Sequence, residues 1–245
     1  MKFYLLSNFL TDNCWRENEI SVFTKDWDRK DDDPLHPKFS NECAPFCPVC
    51  HRSMRPSYPL SPLRREIHVA RPYFGDIVVR GAKVYFSERA KLLYEESNLT
   101  GIEEFKKIEV LRVVCHNGVR KAKLPQVPTY YWCPIVVDGA TWDYERSNAV
   151  YSDPDPIICE YCKDFTGTIR GYTGLYVEES RWKGNNIFEL LGIGGKIMVD
   201  ENFKSWVECN NLTGANLIPE SKTSLDLSTE SLRSTIEKLY NGFTE

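Results

Sequence analysis

Residues 81–101 (GAKVYFSERAKLLYEESNLTG) align without a gap on residues 194–214 (GGKIMVDENFKSWVECNNLTG). A chain that carries one segment twice is expected to build one local unit twice. Nine positions are identical: Gly81 with Gly194, Lys83 with Lys196, Glu88 with Glu201, Lys91 with Lys204, Glu95 with Glu208, and Asn98-Leu99-Thr100-Gly101 with Asn211-Leu212-Thr213-Gly214. In each copy a short apolar run, Val84-Tyr85-Phe86 or Ile197-Met198-Val199, is followed at once by a residue suited to an N-cap, Ser87 or Asp200. A strand running directly into a helix is predicted. Ala90, Leu93, Tyr94 and Ser97, and in the second copy Phe203, Trp206, Val207 and Asn210, recur at i, i+3, i+4 and i+7 and define one buried face. Glu88, Lys91 and Glu95, with Glu201, Lys204 and Glu208, fall on the opposite face as solvated charge pairs of about 0.2–0.5 kcal/mol each.

Both helices are expected to end at Asn-Leu-Thr-Gly, where Gly101 and Gly214 take a left-handed conformation. Ile108 to Cys115 (IEVLRVVC) then reads as a returning strand, and Ala215 to Pro219 as a shorter one. The fold class implied is α+β, with pseudo-symmetric duplicated strand–helix–strand units, read as the doubling of a stable packing unit and not as a two-site enzyme. Thr129–Val137 and Thr168–Val177 read as further strands or a Gly-punctuated hairpin, Lys25–Pro37 as a charged loop, and Ser228–Tyr240 as an amphipathic helix carrying Leu232, Ile236, Leu239 and Tyr240. Four regions follow: residues 1–75 with an N-terminal strand, a loop and a first knuckle; 76–150 with the first repeat lobe; 151–185 with a second knuckle and hairpin; and 186–245 with the second repeat lobe and terminal helix.

The knuckles are Cys47-Pro48-Val49-Cys50 and Cys159-Glu160-Tyr161-Cys162. Two C-x-x-C pairs supply the four soft thiolates that a tetrahedral Zn2+ prefers, so one structural zinc on Cys47, Cys50, Cys159 and Cys162 is expected, clasping the lobes. More than a hundred residues separate the pairs, which requires a folded insertion, including the first repeat, between the two halves of the site. The alternative of two redox dithiols is ranked below, because neither pair lies at a strand-to-helix junction. His51 and Cys43 are substitute ligands, while Cys14, Cys115, Cys133 and Cys209 read as small buried hydrophobes or spectators. His51 and Lys163 stand just after the knuckles, where glycine would ease a left-handed turn, so strain is predicted at both.

No catalytic residue is assigned. Among four histidines there is no H-E-x-x-H or H-x-E arrangement, and neither a nucleophile elbow nor a P-loop is present. Gly192, Gly194 and Gly195 in LLGIGGK precede a strand, not a helix, and read as a hairpin turn. The stretch His51–Pro72 gathers Arg52, Arg55, Arg64, Arg65 and Arg71, which gives an alternative reading as a zinc-ribbon nucleic-acid-binding or regulatory protein. A third reading is an enzyme assembled from scattered acids. Against a nucleic-acid partner, the net charge is only -4 over 245 residues. No run approaches the roughly 18 apolar residues of a membrane span, and MKFYLLSNFL meets Thr11, Asp12 and Asn13 too soon for a signal-peptide core, so a cytoplasmic protein with reduced thiols is expected.

With its MKFY start, a CPxC knuckle, a distant second CxxC and a strand–helix–LTG segment, the chain resembles the double-CXXCG motif family of immunity proteins from bacterial polymorphic-toxin systems. Its C-terminal part, IFELLGIGGKIMVDENFKSWVECNNLTGANLIPE, is similar to the segment ending Imm11-like immunity proteins. The resemblance implies a non-enzymatic protein of bacterial competition that neutralises a cognate toxin or effector by direct binding, with the paired cysteines as its metal site.

Overall fold

The computed structural model describes residues 1–7, 22–23, 39–40, 46–54, 58–59, 63–69, 73–115 and 120–226. The strands are β1 (Phe3–Ser7), β2 (Val22–Phe23), β3 (Phe39–Ser40), β4 (Tyr58–Pro59), β5 (Leu63–Val69), β6 (Ile77–Arg80) and β7 (Lys83–Ser87), which runs into helix α1 (Glu88–Glu95). After it come β8 (Lys106–Cys115), β9 (Tyr130–Cys133), β10 (Val150–Tyr151), β11 (Ile169–Thr173), β12 (Ile187–Leu190) and β13 (Lys196–Asp200), then helix α2 (Glu201–Cys209), β14 (Asn216–Pro219) and β15 (Ser224–Asp226). Among the described residues the protein is a sheet-dominated mixture of strands with two α-helices. The charged loop at Lys25–Pro37 and the helix at Ser228–Tyr240 expected from sequence lie outside the described residues.

Two sheets carry the molecule, one of six strands ordered β2-β5-β8-β9-β7-β6 and one of four ordered β12-β13-β1-β14. In the first, β7 sits antiparallel between β6 and β9, and β9 is antiparallel to β8. In the second, β13 sits antiparallel between β12 and β1, and β1 is antiparallel to β14. The hairpin strand, the central strand, an inserted strand and the return strand therefore follow one order in both sheets. Each inserted strand comes from elsewhere in the chain, β1 from its start and β9 from well after the first helix.

Side chains alternate across the strands with the two-residue period of a sheet buried on both faces. Val84 and Phe86 of β7 face the same way as Ile197 and Val199 of β13 and Tyr4 and Leu6 of β1, and all six join one core with Ala90, Tyr94, Phe203 and Trp206 from the helices. Tyr85 turns to a second core with Ile67, Ile108 and Trp132, and Met198 to a third with Phe3, Trp142 and Phe188. Trp206 of α2 stacks on Phe86 with ring centres 5.9 Å apart and meets the edge of Tyr94 at 5.7 Å, so the second unit's largest side chain fills the first unit's interior. The helices begin as their sequences require, Ser87 accepting from Ala90 N–H and Asp200 from Phe203 N–H.

The Asn-Leu-Thr-Gly segments do more than end the helices, which already stop at Glu95 and Cys209. Thr100 N–H and its hydroxyl donate to Asn186 Oδ1 at 2.9 and 3.3 Å, while Ile187 N–H donates back to Thr100 O at 3.2 Å. Reciprocally, Thr213 N–H and its hydroxyl donate to Asp76 Oδ2, both at 3.0 Å, and Ile77 N–H donates to Thr213 O at 2.9 Å. Each loop thus binds the residues that open the other unit's hairpin. Gly101 has φ +116° and Gly214 φ +91°, and a Cβ at either would lie 1.8 Å from Ile187 O or 2.2 Å from Ile77 O. Close backbone approach, as well as positive φ, dictates glycine here.

Gly101→Ala and Gly214→Ala should each destabilise the fold by at least about 2 kcal/mol in urea unfolding, because the obstructing atom is backbone and cannot rotate away. Gly184→Ala, at φ +92° with open space around it, should lose clearly less.

Candidate metal centre

The two knuckles fold alike. Cys47 N–H donates to Arg52 O at 2.9 Å and His51 N–H to Cys47 O at 3.0 Å; in the second, Cys159 N–H donates to Asp164 O at 2.8 Å and Lys163 N–H to Cys159 O at 2.9 Å. Bridges between Phe46 and Ser53 and between Ile158 and Phe165 close each loop at its base. His51 and Lys163 adopt φ 57° and 58°, so the left-handed turn foreseen from their positions is formed without glycine. The cost is about 1–2 kcal/mol per residue, carried by the surrounding contacts.

This folding brings the Cys47, Cys50, Cys159 and Cys162 sulfurs all within 4.8 Å of one another, a grouping that could hold a metal ion. The shortest separations run between knuckles, 3.7 Å from Cys47 to Cys159 and 3.6 Å from Cys50 to Cys162. A tetrahedron with metal–sulfur bonds near 2.3 Å has edges of about 3.8 Å, so the donor set fits such an ion. Val49 and Cys50 N–H groups also point to Cys47 Sγ at 3.4 and 3.5 Å, the contacts that stabilise a thiolate.

The electrostatics favour a cation at the centre. Burial opposes ionisation of Cys47, yet the N–H groups of Cys50 and Val49 bring its thiol down to about 6. Burial raises Cys162 strongly, helped by the adjacent thiols. Cys50 is also raised: the Arg52 N–H favours its thiolate, but burial and its sulfur neighbours outweigh that help. Cys50 and Cys162 therefore resist ionisation beside Cys47, and a divalent cation would relieve that resistance.

Several contacts that hold the centre escaped the sequence reading. Arg52 Nη1 reaches across to Asp164 Oδ2 at 3.0 Å and Phe165 O at 2.9 Å, tying one knuckle to the other. Arg181 donates to the carbonyls of Glu160 and Tyr161. Leu191, which continues β12, packs from within against the buried Cys47 and Cys162. Gly192 lies so close to the second knuckle that a Cβ on it would be 2.8 Å from Lys163 Cβ. The LLGIGGK segment is the β12–β13 hairpin turn, as expected, and that turn also makes room for the knuckle. Only its glycine content signalled this.

The other predicted positions fall elsewhere. Cys133 is buried, with its thiol pushed well up by burial, whereas Cys115 is half-buried and Cys209 is exposed, not a core residue. Cys14 and Cys43 lie outside the described residues, as do Arg55 and Arg71 of the arginine-rich stretch. Arg52 is committed to Asp164, and Arg64 and Arg65 belong to β5, paired in parallel with β8. The repeated charges on the helices also have partners. Tyr131 hydroxyl donates to Glu88 at 2.6 Å and Tyr4 hydroxyl to Glu201 at 2.6 Å, while Lys91 pairs with Glu95 at 2.7 Å and Lys204 with Glu208 at 2.9 Å.

Four converging cysteines on a sheet-dominated scaffold make this an α+β protein with a grouping that could hold a metal ion. The particular family follows from comparison: the model of the immunity protein family (Imm11) matches residues 63–221, more than half of the chain, and the protein belongs to that family. The matched range contains both strand–helix units and the second knuckle and begins after the first knuckle. This agrees with the Imm11-like resemblance of the C-terminal segment. No curated protein matches the chain.

His51→Gly and Lys163→Gly should each raise unfolding free energy by up to about 1 kcal/mol, since relief of a left-handed residue exceeds the entropy glycine adds to the unfolded chain. Gly192→Ala should do the opposite, and chemical denaturation of the three variants distinguishes the directions.

Proposed function

We propose that the protein neutralises a cognate bacterial toxin by binding it directly and occluding its active site or substrate path. The observation that carries this reading is membership of the immunity protein family across residues 63–221. The protein acts as a binding partner in the cytoplasm of the toxin-producing cell and performs no catalysis. An occluding complex needs about 1,200–2,000 Å² of buried surface anchored by a few aromatic or apolar side chains.

Within this reading the four cysteines hold one structural Zn2+. The inter-knuckle sulfur spacing of 3.6 and 3.7 Å and the N–H groups directed at Cys47 support zinc. With all four positions taken by thiolates, the ion keeps no open site for water, so it fixes the fold and does not activate a nucleophile. The two strand–helix units, with their shared strand order and reciprocal loop contacts, are the products of a duplication whose halves kept the Glu–Lys–Glu helix face.

Co-expression with the neighbouring toxin gene should restore growth, and the two chains should co-purify. Growth that stays blocked while both proteins accumulate would overturn the immunity reading. For the metal, purified protein should contain about one zinc per chain. The double variant Cys47→Ser, Cys159→Ser should lose most of that zinc and melt at lower temperature; near-stoichiometric zinc in it would exclude the four-thiolate site.

A further inference from the structure

We infer that the outward tips of the two cysteine knuckles form the toxin-contacting surface, and that the toxin face they meet is apolar and bordered by basic side chains. This rests on the immunity reading above and assigns it a surface.

Among the described residues, few large hydrophobic side chains remain exposed, and four of them flank or lie within the knuckles: Phe46 at 58%, Val49 at 59%, Ile157 at 74% and Tyr161 at 42%. The cysteines between them converge within 4.8 Å, so these side chains, well apart in sequence, share one end of the molecule. None is among the apolar side chains packed on the cysteines, although the Tyr161 ring carries the Arg181 guanidinium at 5.8 Å. The N–H of Val49 reaches sulfur through the backbone, and the apolar support of the cysteines comes from the inner side, from Leu191 and Val137. An apolar cluster left in water with no internal use is a surface meant to be covered.

The charges around it define the partner. Arg52 pairs with Asp164 and so ties the first knuckle to the second, while Arg181 donates to the carbonyls of Glu160 and Tyr161 in the second knuckle and keeps its charge. Asp155 and Glu160 are exposed and make no ion pair among the described residues. With Arg52 and Asp164 cancelling, Asp153, Asp155 and Glu160 stand against Lys163 and Arg181, so the rim carries a small excess of negative charge, to which a zinc tetrathiolate would add. Apolar anchors with an acidic border suit a polypeptide face with the opposite border, and complementary charge speeds association. The closed clasp fixes the anchors before binding, which lowers the ordering cost.

The test measures binding of a catalytically inactive form of the neighbouring toxin polypeptide to full-length protein by calorimetry and surface plasmon resonance. Val49→Asp, Ile157→Asp and Tyr161→Ala should each weaken binding at least tenfold, chiefly through faster dissociation, with metal content and melting temperature unchanged. Asp155→Lys with Glu160→Lys should slow association and flatten its salt dependence. Leu92→Asp, an exposed leucine on α1, should bind as wild type. A wild-type protein that fails to bind overturns the immunity reading itself. Wild-type binding together with tip variants that bind equally well overturns only the surface. Tip variants that leave toxin affinity intact but change the sedimentation mass, or the protease sensitivity of residues 227–245, also overturn it, because the tips would then be covered by a second copy or by the chain's own tail.

Discussion

The structure depends on two carbonyl groups that each lean on a glycine. Ile187 O and Ile77 O approach Gly101 and Gly214 more closely than any Cβ would permit. Around these points Thr100 and Thr213 exchange backbone and side-chain hydrogen bonds with the residues opening the opposite hairpin. Thr100 and Thr213 are exposed, so burial does not force these bonds; they tie each loop to the other unit's hairpin, where the glycine that follows leaves room for the carbonyl. The shared core follows from that exchange. Each helix lies on its own sheet, α1 on β7 and β9 and α2 on β13 and β1, and Trp206 reaches into the first unit to donate to Leu93 O at 3.3 Å.

The metal centre inherits its position from the same exchange. Asn186, which receives Thr100, also donates to Asp200 Oδ2, so the start of β12 is fixed to the start of α2. Just past the end of that strand, Leu191 packs on Cys47 and Cys162, with Gly192 giving Lys163 space for its left-handed turn. The strain at His51 and Lys163 is thus held by a strand end anchored on the opposite side by the loop exchange. Arg52 and Arg181 complete the restraint by gripping carbonyls and a carboxylate that belong to the second knuckle. The four cysteines thus bring the segment between β3 and β4 against the segment between β10 and β11.

Local signals were legible in the sequence because they depend on nearest neighbours. Ser87 and Asp200 announce helix starts, each C-x-x-C announces one pair of sulfur donors, and the apolar run Val84-Tyr85-Phe86 announces a strand. Family membership was legible for the same reason, since the repeated segment and the hairpin before it lie inside the matched range. What remained hidden involves partners far apart in the chain. Gly101 and Gly214 looked like helix terminators, and nothing local to them reveals a carbonyl from the other unit. Tyr4 and Tyr131 carried no motif, yet insertion of β1 and β9 beside β13 and β7 places both hydroxyls on the first glutamate of a helix. Identity of Glu88 with Glu201 was the trace of this, and it read only as solvated charge.

The spacing of a C-x-x-C pair also divides labour between the inside and the outside of the knuckle. For both cysteines of a pair to bite one ion, the two residues between them must pass over the top of the loop, where Pro48, Val49, Glu160 and Tyr161 are exposed. The backbone of that loop is fully employed, in turn-closing hydrogen bonds and in N–H groups aimed at sulfur, but its side chains are not. Side chains at the tips can therefore change while the cysteine grouping beneath them keeps its contacts.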